Sequence, residues 1–290
     1  MKKKFLKSIL ILCILPLAFS CSSKQTNGVS DILSEADQRL VRGNELLRQG
    51  EYNEAGMNFI KSYTNYSLSD DLRGCGSSLT GLGISLFNQN RSIESDLVFK
   101  KAENYFQASK RPLELLSFYI TKSLLLIEQE KFDKAEKLLK DAEKKDSKDQ
   151  RLKPALALLE LKKNNPEKAF EYLSEKGNTS FYFYVSGLLE IEKQNFEKAL
   201  SDLEKALEKD KKEGNVSQTA GDLEALSNLY LKTGDKQKAK NCILRAIKIY
   251  ILIDKIDRAN KLIETLKKIS SELEEDMSVE NFFIELWMNR

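Results

Sequence analysis

Histidine is absent from this 290-residue chain. Its absence excludes serine–histidine–aspartate and cysteine–histidine nucleophile pairs, histidine-ligated zinc and a histidine pH switch. Four prolines and thirteen glycines are too few for a loop-rich β fold, and abundant Lys, Glu, Leu, Ala and Ser favour helices. Cysteine is scarce too: Cys13 and Cys21 lie near the N-terminus, leaving Cys75 and Cys242 for the folded part. Two cysteines so far apart, with no CxxC spacing, make neither a disulfide framework nor a metal or redox centre. Each reads as a small buried hydrophobe. An excess of charge is also missing. The 47 basic and 44 acidic residues give +3, and losing Lys2, Lys3, Lys4 and Lys7 with the N-terminal segment turns this into −1. Such a balanced surface has no field to hold a phosphate backbone, so no nucleic-acid partner is expected.

What is present begins with a targeting segment. A basic stretch ending at Lys7 precedes an apolar run over residues 9–19, broken by Pro16 and too short to span a bilayer as a helix. Ala18-Phe19-Ser20-Cys21 follows, then the polar Ser22, Ser23, Lys24, Gln25, Thr26, Asn27 and Gly28. One reading is an ordinary signal peptide cut near Ser20, with Cys21 incidental. The other is a bacterial lipoprotein signal, which the segment resembles in its basic start, short apolar core, small residue before cysteine and polar stretch after it. Ala18 and Phe19 depart from that pattern, which usually has Leu and a small residue there. The resemblance implies removal of residues 1–20 as a signal peptide, acylation of Cys21 (palmitate being one such chain) and a polar tether over residues 21–34. Ser22 in place of aspartate favours the outer over the inner membrane. Two or three acyl chains would anchor stably where one alone would not.

The rest of the chain repeats itself. A small residue is followed by another twelve later, by a large apolar residue four further on, and often by a third small one after three more. The instances are Gly43, Ala55, Phe59, Ser62; Gly83, Ser95, Phe99, Ala102; Ser123, Ala135, Leu139, Ala142; and Ala157, Ala169, Leu173. Gly187, Ala199, Leu203, Ala206 and Ser227, Ala239, Ile243, Ala246 complete the set. The internal offsets stay fixed while the distance between units varies, the behaviour of one supersecondary unit with variable joints. Each unit reads as two helices about a short turn, with Asn165 before Pro166 a ready N-cap. A generic Ala-rich bundle, or another α-solenoid, would not demand six repetitions of one offset.

Segments such as Gly50-Glu51-Tyr52-Asn53-Glu54-Ala55, Phe132-Asp133-Lys134-Ala135 and Phe196-Glu197-Lys198-Ala199-Leu200 resemble the turn and second helix of tetratricopeptide repeats (TPRs). The resemblance implies an all-α solenoid of about six helix pairs over residues 35–253, with capping helices over 254–290. In the C-terminal piece Val279, Phe282, Phe283, Leu286 and Trp287 share one stripe, with Ser278 capping its start; it is expected to close the apolar end against the helix at 256–273, the alternatives being an apolar groove of its own or another molecule, or a partner. The first helices often lack the family's bulky aromatic, and the closing proline is missing. Steps of 40 between units predict lengthened helices or extra loop.

No catalytic constellation emerges, and no enzyme, metal or cofactor is expected. Gly74-Cys75-Gly76 and Gly81-Leu82-Gly83 lack the strand-to-helix context of a phosphate loop. Stretches such as Glu136-Lys137-Leu138-Leu139-Lys140 are solvated helix faces. In TPR proteins the first helices line a concave groove. The positions implied are Ile84 and Phe87; Ile120, Leu124 and Ile127; Leu158 and Leu161; and Tyr184, Leu188 and Ile191. Each of these has an alternative role in packing between helices. The reading is a membrane-anchored TPR lipoprotein acting by protein–protein interaction as an adaptor or scaffold in the bacterial cell envelope. It resembles lipoproteins serving outer-membrane, secretion or pilus assembly, or control of wall enzymes. The alternative is a surface-exposed lipoprotein that binds a host or environmental ligand. Whether the chain faces periplasm or exterior stays open.

Overall fold

The computed structural model describes residues 29–174 and 176–289. Six helix pairs run in chain order: α1 (Val29–Gln49) with α2 (Tyr52–Leu68), α3 (Leu72–Asn88) with α4 (Ser92–Ala108), and α5 (Pro112–Glu128) with α6 (Phe132–Glu143). They continue with α7 (Leu152–Lys162) and α8 (Pro166–Tyr172), α9 (Ser180–Glu192) and α10 (Phe196–Glu213), and α11 (Val216–Lys232) and α12 (Lys236–Leu252). Two helices follow, α13 (Ile256–Glu272) and α14 (Ser278–Met288), and no strand occurs among the described residues. The architecture is an α-solenoid. The expected signal peptide, Cys21 and the first part of the tether lie outside the described residues. Helix α1 starts at Val29, inside the span expected to be tether, because Leu33, Ala36 and Leu40 continue its apolar stripe onto Tyr66 and Cys75.

The offsets read from the sequence have a direct physical cause. A Cβ added at Gly83 would lie 2.6 Å from the Phe99 ring, one at Gly43 2.7 Å from Phe59, and one at Gly187 2.6 Å from Leu203. The first small residue of each unit is therefore the floor on which the large residue sixteen positions later sits. The second small residue fills the crossing itself: Ser95 Oγ donates to the Gly83 carbonyl at 2.8 Å, while Ala135 and Ala199 are fully buried.

All the joints except those between α6 and α7 and between α8 and α9 are made the same way. The chain turns through one left-handed residue, at 50, 70, 90, 110 and 130, then 164, then 194, 214, 234, 254 and 274. The following N–H reaches back five residues, as in Arg91 N–H to Leu86 (2.9 Å) and Asn195 N–H to Glu190 (2.8 Å), the bond of a Schellman motif. Glycine fills this slot at Gly50, Gly214 and Gly234, but Asp, Asn, Lys, Glu and Gln occupy the others. The regular spacing resolves the steps of 40. The helices are lengthened, typically to 17 residues, and no extra loop is inserted. The steps shorten only where α6, α7 and α8 contract to 12, 11 and 7 residues. Asn165 stands at the expected N-cap of α8, but its amide donates to Glu160 (3.1 Å) and makes no cap bond.

The solenoid winds until it meets itself. Helix α1 touches α11 as well as α3, and Leu47 and Tyr52 pack into the same apolar cluster as Tyr250, Ile251 and Ile253. Gly50 fits so closely against Ile253 that a Cβ there would lie 2.4 Å away. Arg258 at the start of α13 reaches across to Glu128 at the end of α5 (3.3 Å).

At the C-terminus, α14 docks on α12, not on α13 as expected. Its docking face is Glu280, Ile284 and Trp287, at i, i+4 and i+7. Lys240 on α12, itself buried, pairs with Glu280 (2.8 Å) and Glu275 (2.5 Å), and Trp287 packs on the same cluster with Lys248 over its ring. These ion pairs fix the helix rotation, so Val279, Phe282, Phe283 and Leu286 face outward. Ser278 bonds to Asp276 and does not cap the helix.

Candidate functional site: a carboxyl-lined cavity inside the solenoid

Closure converts the expected open groove into a half-open central cavity of about 550 Å³, within the size range of ligand pockets. Its apolar wall is built by successive inner helices: Leu124 and Ile127 from α5, Leu158 from α7, and Phe181 and Tyr184 from α9. Of the ten groove positions implied by the sequence, Leu124, Ile127, Leu158 and Tyr184 meet here. Phe87 lines a neighbouring cleft with Glu128 and Lys255. Ile84, Ile120, Leu161, Leu188 and Ile191 pack between helices instead, with Ile120 and Ile191 fully inside. The aromatic block at the start of α9 divides as helix geometry requires. Phe181 and Tyr184 face the cavity, Tyr182 covers Gly177, and Phe183 lies on the outside beneath Lys205.

The polar wall comes from residues that the groove rule does not select. Asp210 at the end of α10 and Asp222 on α11 lie side by side, both buried, and both line the cavity with Ser217, Gln218 and Gly221. Asn215 Nδ2 donates to Asp210 Oδ1 at 2.8 Å. Asp222, 1% exposed, has an oxygen (Oδ2) with no hydrogen-bond partner. Burial, and then the neighbouring Asp210 carboxyl, push Asp222 up to about 8. Burial raises Asp210 too, against the opposing hydrogen bonds from Asn215 and Ser180. Two carboxyls this close cannot both ionise cheaply, so the pair retains a proton at neutral pH. A faint signal was legible: an aspartate beside a glycine in the middle of a helix otherwise rich in Ala and Leu.

Lys255 and Arg258 form the opposite rim. Arg258 is already neutralised within the fold, donating to Tyr250 Oη (3.0 Å) and pairing with Glu128 and Glu224, while Tyr250 in turn donates to Glu224 (2.7 Å). Burial works against the charge of Arg258, but Tyr250, Glu128 and Glu224 outweigh it and raise its pKa. Burial lowers Lys255, which lies in the field of Glu128 and Glu224. Burial also pushes Tyr184 up to about 12, so it faces the cavity as a neutral phenol. Among the described residues, no group of His, Cys, Asp and Glu has an arrangement able to hold a metal ion. No described helix is long and apolar enough to cross a membrane.

Repeated helix pairs with inner helices around a central space define the class: an α-solenoid of helix-pair repeats. Residues 120–177 and 223–250 each match the tetratricopeptide repeat family, so the chain carries tetratricopeptide repeats in these two stretches. Comparison with curated proteins finds no match. Among solved structures, a chain of the APC/C hetero-tetramer Cut9–Hcn1 is similar over 83% of this chain at 16% identity, with a TM-score of 0.56. This chain spans 45% of that protein's length, and the likeness is one of fold. Pseudomonas aeruginosa PilF aligns over 78% of this chain and 98% of its own, at 18% identity and a TM-score of 0.46. A tetratricopeptide repeat protein from Parabacteroides merdae aligns over 88% and 98%, at 12% identity and the same TM-score.

Proposed function

We propose that this protein is a lipid-anchored adaptor of the bacterial cell envelope that binds a protein segment in its central cavity. The observation carrying the reading is that Leu124, Leu158 and Tyr184 line a half-open cavity large enough for a ligand. A solenoid serving only as a spacer has no use for an apolar cavity there. The anchor is read from the sequence alone: a short apolar run ending at Ser20-Cys21 with a polar stretch behind it. Acylated Cys21 would hold the solenoid at the outer membrane, with α1 starting only a few residues away, so partners would lie close to the bilayer. The adaptor role follows the same logic, since the cavity offers an apolar patch beside polar groups that can position a bound segment.

A photo-crosslinking residue placed at Leu158 or Tyr184 in intact cells should trap a discrete protein adduct, while one at the outward-facing Leu97 should not. Replacing Cys21 by Ala should release the protein from the membrane fraction or leave it as precursor. No adduct from either cavity position would overturn the adaptor reading, and a mature wild-type protein with an unmodified N-terminus at Ser22 or later would overturn the anchor.

A further inference from the structure

We infer that the central cavity recognises a primary ammonium group carried on an apolar body, with Asp222 and Asp210 receiving the ammonium and Leu124, Leu158 and Tyr184 receiving the body. The inference rests on the cavity being the binding site proposed above, but not on the occupant being a protein.

Three observations support it. The first is electrostatic. On the far rim Arg258 has its counter-charges inside the fold, held by Glu128, Glu224 and Tyr250, and Lys255 lies in the field of the same two glutamates. The carboxyls have none: Asp210 accepts from the neutral Asn215, and Asp222 Oδ2 is buried with no partner while its residue lines the cavity. A buried acceptor left unmatched is costly, and costlier when charged. An ammonium brings both the missing charge and up to three N–H donors, and the hydroxyls of Ser180 and Ser217 stand on the same wall as further acceptors. The second is steric. Gly221, one residue before Asp222 on α11, lines the cavity, and a Cβ added to it would meet nothing within 4 Å. A mid-helix glycine with empty space in front of it weakens the helix, and here it keeps room beside the carboxyl. The third is the apolar patch of Leu124, Ile127, Leu158, Phe181 and Tyr184, which lines the cavity together with a charged margin of Glu128, Glu130, Lys162, Lys255 and Arg258. The patch suits the methylene chain behind the amine and would not compete for the charge. A free alkyl or aryl amine and the lysine side chain of a partner share this chemistry.

The test is calorimetric titration of the purified full chain with n-hexylammonium, with n-hexanol and n-hexanoate as shape controls. Acetyl-Leu-Lys-Leu-amide and its Nε-acetylated counterpart form the second arm. Saturable binding of n-hexylammonium or of the free-lysine peptide is expected, with n-hexanol, n-hexanoate and the acetylated peptide at least tenfold weaker. Asp222→Asn, which keeps the shape and removes the carboxyl whose retained proton the ammonium would displace, should weaken the amine at least tenfold. Gly221→Leu should block it with no loss in melting temperature, which separates occlusion from unfolding. Tighter binding of the peptide assigns the amine to a partner's lysine, and tighter binding of n-hexylammonium assigns it to a free amine. Absence of saturable binding by both, equal binding by Asp222→Asn, or equal binding of n-hexanol overturns the inference. Crosslinked adducts at Leu158 that persist undiminished in Asp222→Asn would leave the adaptor reading standing while removing this one.

Discussion

Replacing Asp222 by Asn should stabilise the protein, and by an amount that grows with pH. In the folded chain Asp222 titrates near 8; unfolded, it returns to about 3.9. Below about pH 4 it is protonated in both states and imposes no penalty. Between the two values the unfolded chain has released its proton and the folded chain has not. Folding then takes up a proton, and stability falls as pH rises, by about 1.4 kcal/mol per pH unit. From pH 5 to pH 8 the loss approaches 4 kcal/mol, and above the folded value it levels off. Asparagine carries no charge at any pH and can donate its amide to Asp210, so the variant escapes this slope. Asp210 titrates in both proteins, and the asparagine amide can replace the hydrogen bond by which Asp222 lowers it. Urea unfolding followed by far-ultraviolet circular dichroism at pH 5, 6.5 and 8 would measure the gap directly. It should widen by about 3–4 kcal/mol from the lowest to the highest pH. A gap that stays constant would mean that Asp222 is ionised in the folded state, and the argument for an uncompensated buried carboxyl would fall.

The other predictions concern the joints and crossings. Ala199 is fully buried where α9 crosses α10, so Ala199→Leu should cost about 1–3 kcal/mol by overpacking in urea unfolding; an unchanged midpoint would contradict the crossing. Lys198 Nζ lies 2.6 Å from Glu190, which is 2% exposed, so Lys198→Met should destabilise by about 1–3 kcal/mol by leaving that carboxylate only the looser pairing with Lys193 at 3.8 Å, whereas Lys134→Met on an exposed face should stay within about 0.5 kcal/mol. Gly50 has φ +83 and sits against Ile253. Gly50→Val should therefore part the first unit from the last and raise the radius of gyration in small-angle X-ray scattering, and equal scattering curves would show that closure does not depend on this contact.

Much of the fold was legible because its determinants are local. The offset of twelve is the hydroxyl of Ser95 meeting the Gly83 carbonyl, and the offset of sixteen is Phe99 resting on Gly83. Any sequence that builds this crossing must repeat these spacings, whatever its joints do. The joints themselves were harder to see. A left-handed residue closes eleven of the helices, yet most of these positions hold Asp, Asn, Lys, Glu or Gln. Without glycine to mark the turns, a step of 40 could not be divided between helix and loop. The rotation of α14 was equally hidden. Its apolar stripe is real, but Lys240, some forty residues earlier, captures Glu280 and turns the stripe outward.

The cavity was half legible, and the missing half has one cause. A rule that places groove residues by offset from the first small position assumes equivalent units in an open array. In the middle units it finds Leu124, Ile127, Leu158 and Tyr184, which line the cavity, but also Ile120, Leu161, Leu188 and Ile191, which pack between helices. It fails at the sixth unit, where the equivalent positions, three before and one and four after the first small residue Ser227, are Glu224, Asn228 and Leu231. There α1 lies against α11 and Leu47 shares a cluster with Leu231. Glu224 is taken up by Tyr250 and Arg258. What remains open on α11 is its first part, carrying Ser217, Gly221 and Asp222. The contact of Gly50 with Ile253 joins positions some two hundred residues apart, and no local pattern records it. Closure is a property of the summed curvature of every crossing, so the residues it exposes to the cavity follow from the whole array. Asp222 belongs to the site only because the first unit has come round to cover the rest of its helix.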